Sequence, residues 1–292
     1  MVHEIRNAQL AVSAHETGAQ LWSILGADGT QYLWQGDKAY WGDRALTLFP
    51  YVARLWQGKY RLDQTTYSMP IHGFAPTADF ALREKTETSM TFELCESEET
   101  LAQYPRRFCF RVTYALRGNR LDVIDQVQNR DEKPLYFGLG GHPGFQVPLE
   151  KGKAFEDYRL RFGAPCSPMR VGFSEDCFVT GKDSAFPLQE DTILPLQHAL
   201  FDEDAIVLRD MARAVTLEAP GGRHSVRVSF PDMPYLGIWH WPKTDAPYVC
   251  IEPWLSLPAK HGEIVDFETQ ADLIRLEPGG TYENRWSIEM FA

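Results

Sequence analysis

Cysteine is sparse and unpaired in this sequence. Cys95, Cys109, Cys166, Cys177 and Cys250 are odd in number and scattered, with no Cys-x-x-Cys spacing, which excludes a disulfide framework and a zinc site built on paired thiols. Reduced, buried thiols are expected. Positive charge is also short: 29 Lys and Arg stand against 40 Asp and Glu, a formal charge of −11, and no basic cluster with interleaved aromatics occurs. Nucleic acid is therefore not an expected partner, and the ligand should be small or uncharged. No apolar run approaches the ~18 residues of a membrane span. The opening Met1-Val2-His3-Glu4-Ile5-Arg6 lacks the apolar core of a signal peptide. A cytoplasmic protein with no membrane partner is expected. Alternating β/α units are missing too, as is a Gly-rich strand-to-helix turn for a nucleotide phosphate.

What remains is a chain of short alternating segments. A hydrophobic content of 44%, with 13% aromatics, is enough to fill a large core. Length admits either two average domains or one large β domain; the patterning favours one domain over residues 1–292. Gln9–Ser13, Ser89–Leu94, Phe108–Tyr114, Leu121–Asp125 and His224–Phe230 alternate apolar and polar residues, the period of a half-buried strand. Gly26–Gly29, Arg117–Arg120, Pro220–Arg223 and Glu277–Gly280 supply turn chemistry between such runs. Helical signals are confined to Glu96–Tyr104, where Ser97 is a suitable N-cap and Pro105 a stop. Gly163–Leu196 reads as a loop-rich insertion that keeps apolar anchors at Phe173, Phe178 and Phe186. The fold class is all-β, a large antiparallel sandwich.

Four blocks carry candidate chemistry. Leu48-Phe49-Pro50-Tyr51-Val52-Ala53-Arg54-Leu55 is apolar around one arginine, which reads equally as a surface residue of an edge strand. Met69-Pro70-Ile71-His72-Gly73-Phe74 places a histidine in a loop, where a structural role competes with a catalytic one. In Gly140-Gly141-His142-Pro143-Gly144-Phe145 the glycines permit close approach and Pro143 fixes a turn. Tyr248-Val249-Cys250-Ile251-Glu252-Pro253-Trp254 sets a carboxylate inside an apolar run, where burial is costly unless the group is paired or part of a site. Imidazole titrates near ~6.5 and a carboxylate near ~4.3, so His142 and Glu252 suit opposite ends of a proton transfer.

Together, in this order and spacing, the Phe-Pro-x-x-x-Arg, His-Gly-Phe-Ala, Gly-Gly-His-Pro-x-Phe and Ile-Glu-Pro-Trp segments resemble the aldose 1-epimerase (galactose mutarotase) family, and more closely its LacX-like branch. The resemblance runs from about Glu4 to Met290. It implies a sugar cleft on one sheet of the sandwich and interconversion of the α and β anomers of a free aldohexose. It further implies Glu252 as catalytic base, His142 as catalytic acid, and Arg54 and His72 as ligands of the sugar's ring oxygen and hydroxyls. A sugar-binding aspartate is assigned to Asp204 over Asp202, because Asp204 directly precedes the apolar Ala205–Leu208. Trp239 and Trp254 are candidates to stack on the sugar, with core packing as the competing reading. The expected partner is a monosaccharide, with no cofactor and no metal; the sequence leaves monomer and homodimer open. Gly-Gly-His-Pro replaces the Asn-His-x-Tyr of better-known members, and Pro76 stands where relatives commonly carry arginine, so no preference for galactose is implied.

Competing readings are a hexose-6-phosphate 1-epimerase, for which Lys59, Arg61 and Lys243 are the only further cations near the blocks, and a catalytically silent sugar-binding protein of the same fold. A glycosidase needs two carboxylates flanking the scissile bond, and the blocks offer one.

Overall fold

A computed structural model describes residues 1–292. Two antiparallel sheets dominate it. The larger has nine strands in the order Ile193–Pro195, Arg159–Phe162, Ala214–Glu218, Ser225–Ser229, Thr281–Phe291, Arg120–Asn129, Phe108–Arg117, Ser89–Cys95 and Ala81–Lys85. The other has seven: Ser184–Ala185, Met169–Arg170, Ile206–Arg209, Tyr235–Trp239, Tyr248–Trp254, Gly140–Gln146 and Ala45–Leu48. A 66-residue hydrophobic cluster joins their inner faces, with Phe110 and Val228 from the larger sheet and Phe145, Leu236 and Ile251 from the smaller. Burying apolar side chains at this scale is the main force holding the layers together.

Alternation marks the larger sheet. Ser89–Cys95 buries every second residue, and Phe108–Arg117 does so beyond its first three residues, as expected for strands with one wet face. The Gly118-Asn119 turn joins Phe108–Arg117 to Arg120–Asn129 in the predicted hairpin, and the segment around Pro220–Arg223 joins Ala214–Glu218 to Ser225–Ser229. The one α-helix, Glu98–Gln103, begins at Ser97. The Ser97 hydroxyl accepts from the Thr100 N–H while the Thr100 hydroxyl accepts from the Ser97 N–H, a reciprocal cap. The Gly163–Leu196 insertion is anchored through Phe178, which is 8% exposed, and contributes the short strands Met169–Arg170 and Ser184–Ala185.

Two expectations are corrected. Gly140-Gly141-His142-Pro143 is no turn: it is a strand inside the seven-stranded sheet, paired to Tyr248–Trp254 on one side and Ala45–Leu48 on the other. Its glycines serve packing, since a Cβ on Gly141 would lie 2.5 Å from the Trp286 ring and one on Gly140 3.0 Å from Trp254. Of the five free thiols, only Cys109 and Cys250 are buried, and the other three are half-buried.

Candidate active site

Sheet geometry makes the central contact. Gly140 pairs with Trp254 and Gly144 with Cys250, so His142 and Glu252 face each other across neighbouring strands. Along Tyr248–Trp254, Val249 and Ile251 point into the main core; two-residue periodicity turns Cys250, Glu252 and Trp254 to the other face. There His142 Nε2 lies 3.3 Å from Glu252 Oε2, with both side chains nearly sealed from solvent. Gly237 is Glu252's partner on the other side, and a Cβ there would sit 3.2 Å from that of Glu252 and 3.1 Å from the Trp254 ring. A bare glycine leaves the space above the carboxyl open.

That space is a cleft of about 570 Å³, within the usual range for small-molecule sites. The residues singled out from sequence converge on it: Arg54, His72, His142, Asp204, Trp239, Glu252 and Trp254 all line its wall. Asp202 does not; it faces an adjoining groove. His72 sits in a left-handed backbone conformation, φ 65°, and its ring Nδ1 accepts the Ala53 N–H at 3.2 Å. The neutral ring therefore carries its proton on Nε2 as a hydrogen-bond donor. The backbone repeats the clamp, with His72 N–H donating to Ala53 at 2.9 Å and Phe49 N–H donating to His72 at 3.2 Å. Asp204 also has positive φ, 74°, just ahead of Ile206–Arg209; its carboxylate accepts from its neighbour Ala205 N–H at 2.9 Å and from the Cys177 thiol at 3.2 Å. Arg54 is exposed and makes no ion pair. Left-handed backbone at non-glycine residues is costly and often marks a working surface.

Aromatic rings wall the pair. Trp41 lies 4.8 Å from the His142 ring at 32°, and Trp239 packs edge-on to both, 5.6 Å from each. Trp41 and Cys177 escaped the sequence reading. Trp41 stands in a loop segment with no motif, and the one available signal was the aromatic density of Trp34, Tyr40 and Trp41. Trp254, 3% exposed, packs with Leu48, Val52 and Val207, in line with the core-packing reading, and also lines the cleft.

Electrostatics set the protonation of the floor. Burial pushes Glu252 well above its usual value, nearby Asp204 adds to the shift, and the Trp254 indole opposes it. That indole N–H stands outside hydrogen-bonding geometry, so the opposition is weak. His142 is held well below its usual value, by burial first and then by His72. His72 is lowered to about 3 by burial, with Arg54 contributing. Burial thus biases the two histidines toward neutral rings and Glu252 toward its protonated form. His142, Cys250 and Glu252 bring donor atoms within 4.8 Å of one another, as do Glu93, Cys95 and Cys109 on the larger sheet. Burial first, and then Glu252, push the Cys250 thiol well above its usual value.

Known proteins resemble the chain along nearly its whole length. Over 281 residues the chain is 35% identical to the chromosomal protein LacX of Lactococcus lactis subsp. lactis, covering 92% of this chain and 93% of that one. It superposes on a galactose mutarotase related enzyme from Lactobacillus acidophilus with a TM-score of 0.95 at 32% identity, covering 100% of this chain and 98% of the other. A galactose mutarotase-like protein from Lactobacillus casei ATCC 334 gives 0.92 at 33%, covering 99% and 100%. No helix is long and apolar enough to cross a membrane. Since the sequence model described as aldose 1-epimerase matches residues 1–287, the chain belongs to the aldose 1-epimerase family.

Proposed function

We propose that this protein is an aldose 1-epimerase acting on a free, uncharged aldose, with Glu252 and His142 as its proton-transfer pair. The observation that carries the reading is the 3.3 Å approach of His142 Nε2 to Glu252 Oε2 at the floor of a sugar-sized cleft. Glu252 takes the proton of the C1 hydroxyl while His142 gives one to the ring oxygen, and the pyranose opens to the aldehyde. Rotation about the C1–C2 bond presents the other carbonyl face, and reclosure runs both transfers backwards.

The protonation state fits this cycle. A neutral imidazole beside a protonated carboxyl holds one proton, the same count as imidazolium beside carboxylate. Transfer across the 3.3 Å contact converts one into the other. The ion-paired form opens the ring, and opening regenerates the neutral form, which burial favours. The open-chain aldehyde is therefore held opposite the more stable state of the pair.

Arg54, the His72 Nε2–H, Asp204 and Trp239 are assigned to holding the sugar: two donors, one acceptor and an apolar plate. Charge favours a neutral substrate over a sugar phosphate. The cleft presents one cation, Arg54, among Asp43, Asp204 and Glu252, and a phosphate dianion calls for a cluster of donors. Of the other cations considered, neither Lys59 nor Arg61 lines the cleft, and Lys243 faces the adjoining groove.

The test is polarimetry, or NMR of the anomeric protons, on freshly dissolved α-glucose, α-galactose and their 6-phosphates, with Glu252→Gln alongside. Faster equilibration of a free sugar, lost in the variant while sugar affinity stays, is the expected result. Acceleration confined to the phosphates, or unaffected by the substitution, overturns the reading.

A further inference from the structure

Away from the cleft, the outer face of the nine-stranded sheet carries the one pair of thiols in contact. Ser89–Cys95 and Phe108–Arg117 run antiparallel, with Thr91 opposite Thr113, Glu93 opposite Arg111 and Cys95 opposite Cys109. Each couple touches. The threonine hydroxyls lie 2.9 Å apart, Arg111 Nε donates to Glu93 at 2.7 Å, and the two cysteine sulfurs lie 3.0 Å apart. Just beyond them the Glu96 N–H donates to the Phe108 carbonyl at 3.3 Å, so residues 96 and 108 are a hydrogen-bonded couple. By alternation Cys95 and Cys109 are the closer, non-hydrogen-bonded kind, with Cα atoms about 4.5 Å apart, inside the span that a disulfide bridges without backbone movement. Sheet register makes this pair, so spacing along the chain gave no sign of it.

We propose that Cys95 and Cys109 are a redox-active dithiol that closes to a cross-strand disulfide by exchange with a small-molecule disulfide, stapling the 95–109 segment and its helix, Glu98–Gln103. Exposure divides the roles. Cys95 is half-buried and open to attack a small disulfide, whereas Cys109 is 4% exposed and can reach only Cys95. Burial first, then Cys95 and Glu93, push the Cys109 thiol up, which suits a resolving sulfur rather than an attacking one. Arg130 reaches Glu96 at 3.8 Å and stands by Cys95, a cation at hand for the anionic sulfur that exchange passes through. Cys95, giving up its proton, attacks one sulfur of the small disulfide and releases one thiol. Cys109, giving up its own, attacks Cys95 Sγ and releases the second. Two protein thiols are oxidised to one disulfide, and the small disulfide is reduced to two thiols that take both protons. A metal suits the pair less well. Tetrahedral zinc with bonds of about 2.3 Å needs sulfurs roughly 3.8 Å apart, and the third donor, Glu93, is already held by Arg83 and Arg111.

The experiment incubates the reduced protein with glutathione disulfide, quenches in acid, unfolds the chain and blocks its remaining thiols with N-ethylmaleimide. Intact mass and linked peptides are then read in the unaltered protein, in Cys95→Ser and in Cys109→Ser, with melting of each reduced variant reporting that it folds. The unaltered protein is expected to lose two of its five blockable thiols, to yield a peptide joining Cys95 to Cys109, to retain no glutathione, and to regain both thiols in dithiothreitol. Cys109→Ser should stall with one glutathione on Cys95, and Cys95→Ser should form no bridge. The closed form should melt roughly 5 °C above the reduced one. Five blockable thiols after treatment, a bridge between other cysteines, a mixed disulfide that never resolves, or a melting temperature that closure fails to raise overturns the proposal. Protection of both thiols by one equivalent of zinc, with no bridge formed in glutathione disulfide, overturns it in favour of a metal site.

Discussion

The two sheets hold equally buried carboxyl groups and use them differently. On the nine-stranded sheet, Asp125 is 4% exposed among core residues and accepts one hydrogen bond, from the Trp286 indole at 3.2 Å. On the seven-stranded sheet, Glu252 is 1% exposed and faces an imidazole at the floor of a cleft. Desolvation raises both acids, Asp125 to about 7. The same physical cost yields a structural acid in one place and a candidate catalyst in the other. Burial alone does not mark a site; burial beside a second titratable group and an open volume does. Charge on the outer surfaces repeats the contrast. Across the larger sheet Glu93 takes Arg83 and Arg111, and Glu218 takes Arg159 and Arg161, while Arg54 at the cleft and Arg170 and Lys243 at the adjoining groove form no ion pair.

The sharpest way to break this comparison is to remove the imidazole that faces Glu252 and then Asp125 itself. Replacing His142 by Gln is expected to lower kcat about 10²–10⁴-fold, with folding intact by circular dichroism; a drop of less than tenfold would sink the pairing. Because the pair must hold one proton, activity fails when it gains a second or loses its last. His142 is depressed and Glu252 raised, so the acid limb of the kcat/KM profile should lie well below pH 6.5 and the alkaline limb well above pH 4.5. An acid limb centred at 6.5 would mean an unperturbed histidine governs the rate.

Asp125 should show itself in stability instead. Its folded value is raised, so the folded state holds a proton between about 3.8 and about 7 that the unfolded chain has lost. The stabilising contribution is complete below that window and is lost as pH rises through it. Denaturation at pH 5 and pH 8 is expected to differ by roughly 2–4 kcal/mol more in the unaltered protein than in Asp125→Asn. An unchanged difference between the two proteins would show that Asp125 is ionised within the fold.

Smaller effects follow from packing and surface charge. Gly141→Ala places a Cβ against Trp286, and the resulting overpacking is expected to cost about 1–3 kcal/mol in urea denaturation. Glu218→Gln, although it releases two arginines, should cost no more than ~1 kcal/mol, because those guanidinium groups remain partly exposed. A larger loss for Glu218→Gln than for Gly141→Ala would reverse the contrast drawn between the sheets.

Legibility divides along the same line. Strands of the larger sheet alternate because one face is wet, so Ser89–Leu94 and Leu121–Asp125 were plain in the sequence as parts of the strands Ser89–Cys95 and Arg120–Asn129. Tyr248–Trp254 is buried throughout, and Gly140–Gln146 looked like a turn because glycine and proline usually make turns; only the packing against Trp286 and Trp254 shows why glycine is needed there. Candidate site residues with a local signal were found: Glu252 as a charge in an apolar run, Asp204 just ahead of a strand. Trp41 and Cys177 were missed, since what places them beside His142 and Asp204 is long-range contact with no trace in neighbouring residues.

The positions of the cleft residues along the chain carry one more consequence. His142 and Glu252 sit on interior strands of a sheet, each hydrogen-bonded on both sides, whereas Arg54, His72 and Asp204 sit in loops. A ladder tolerates few changes and opens slowly, while loops accept substitution and insertion. On the roles proposed above, reaction chemistry and sugar recognition can therefore evolve separately, with new substrates reached by rewriting the 49–55, 70–75, 173–179 and 201–205 loops over an unchanged floor.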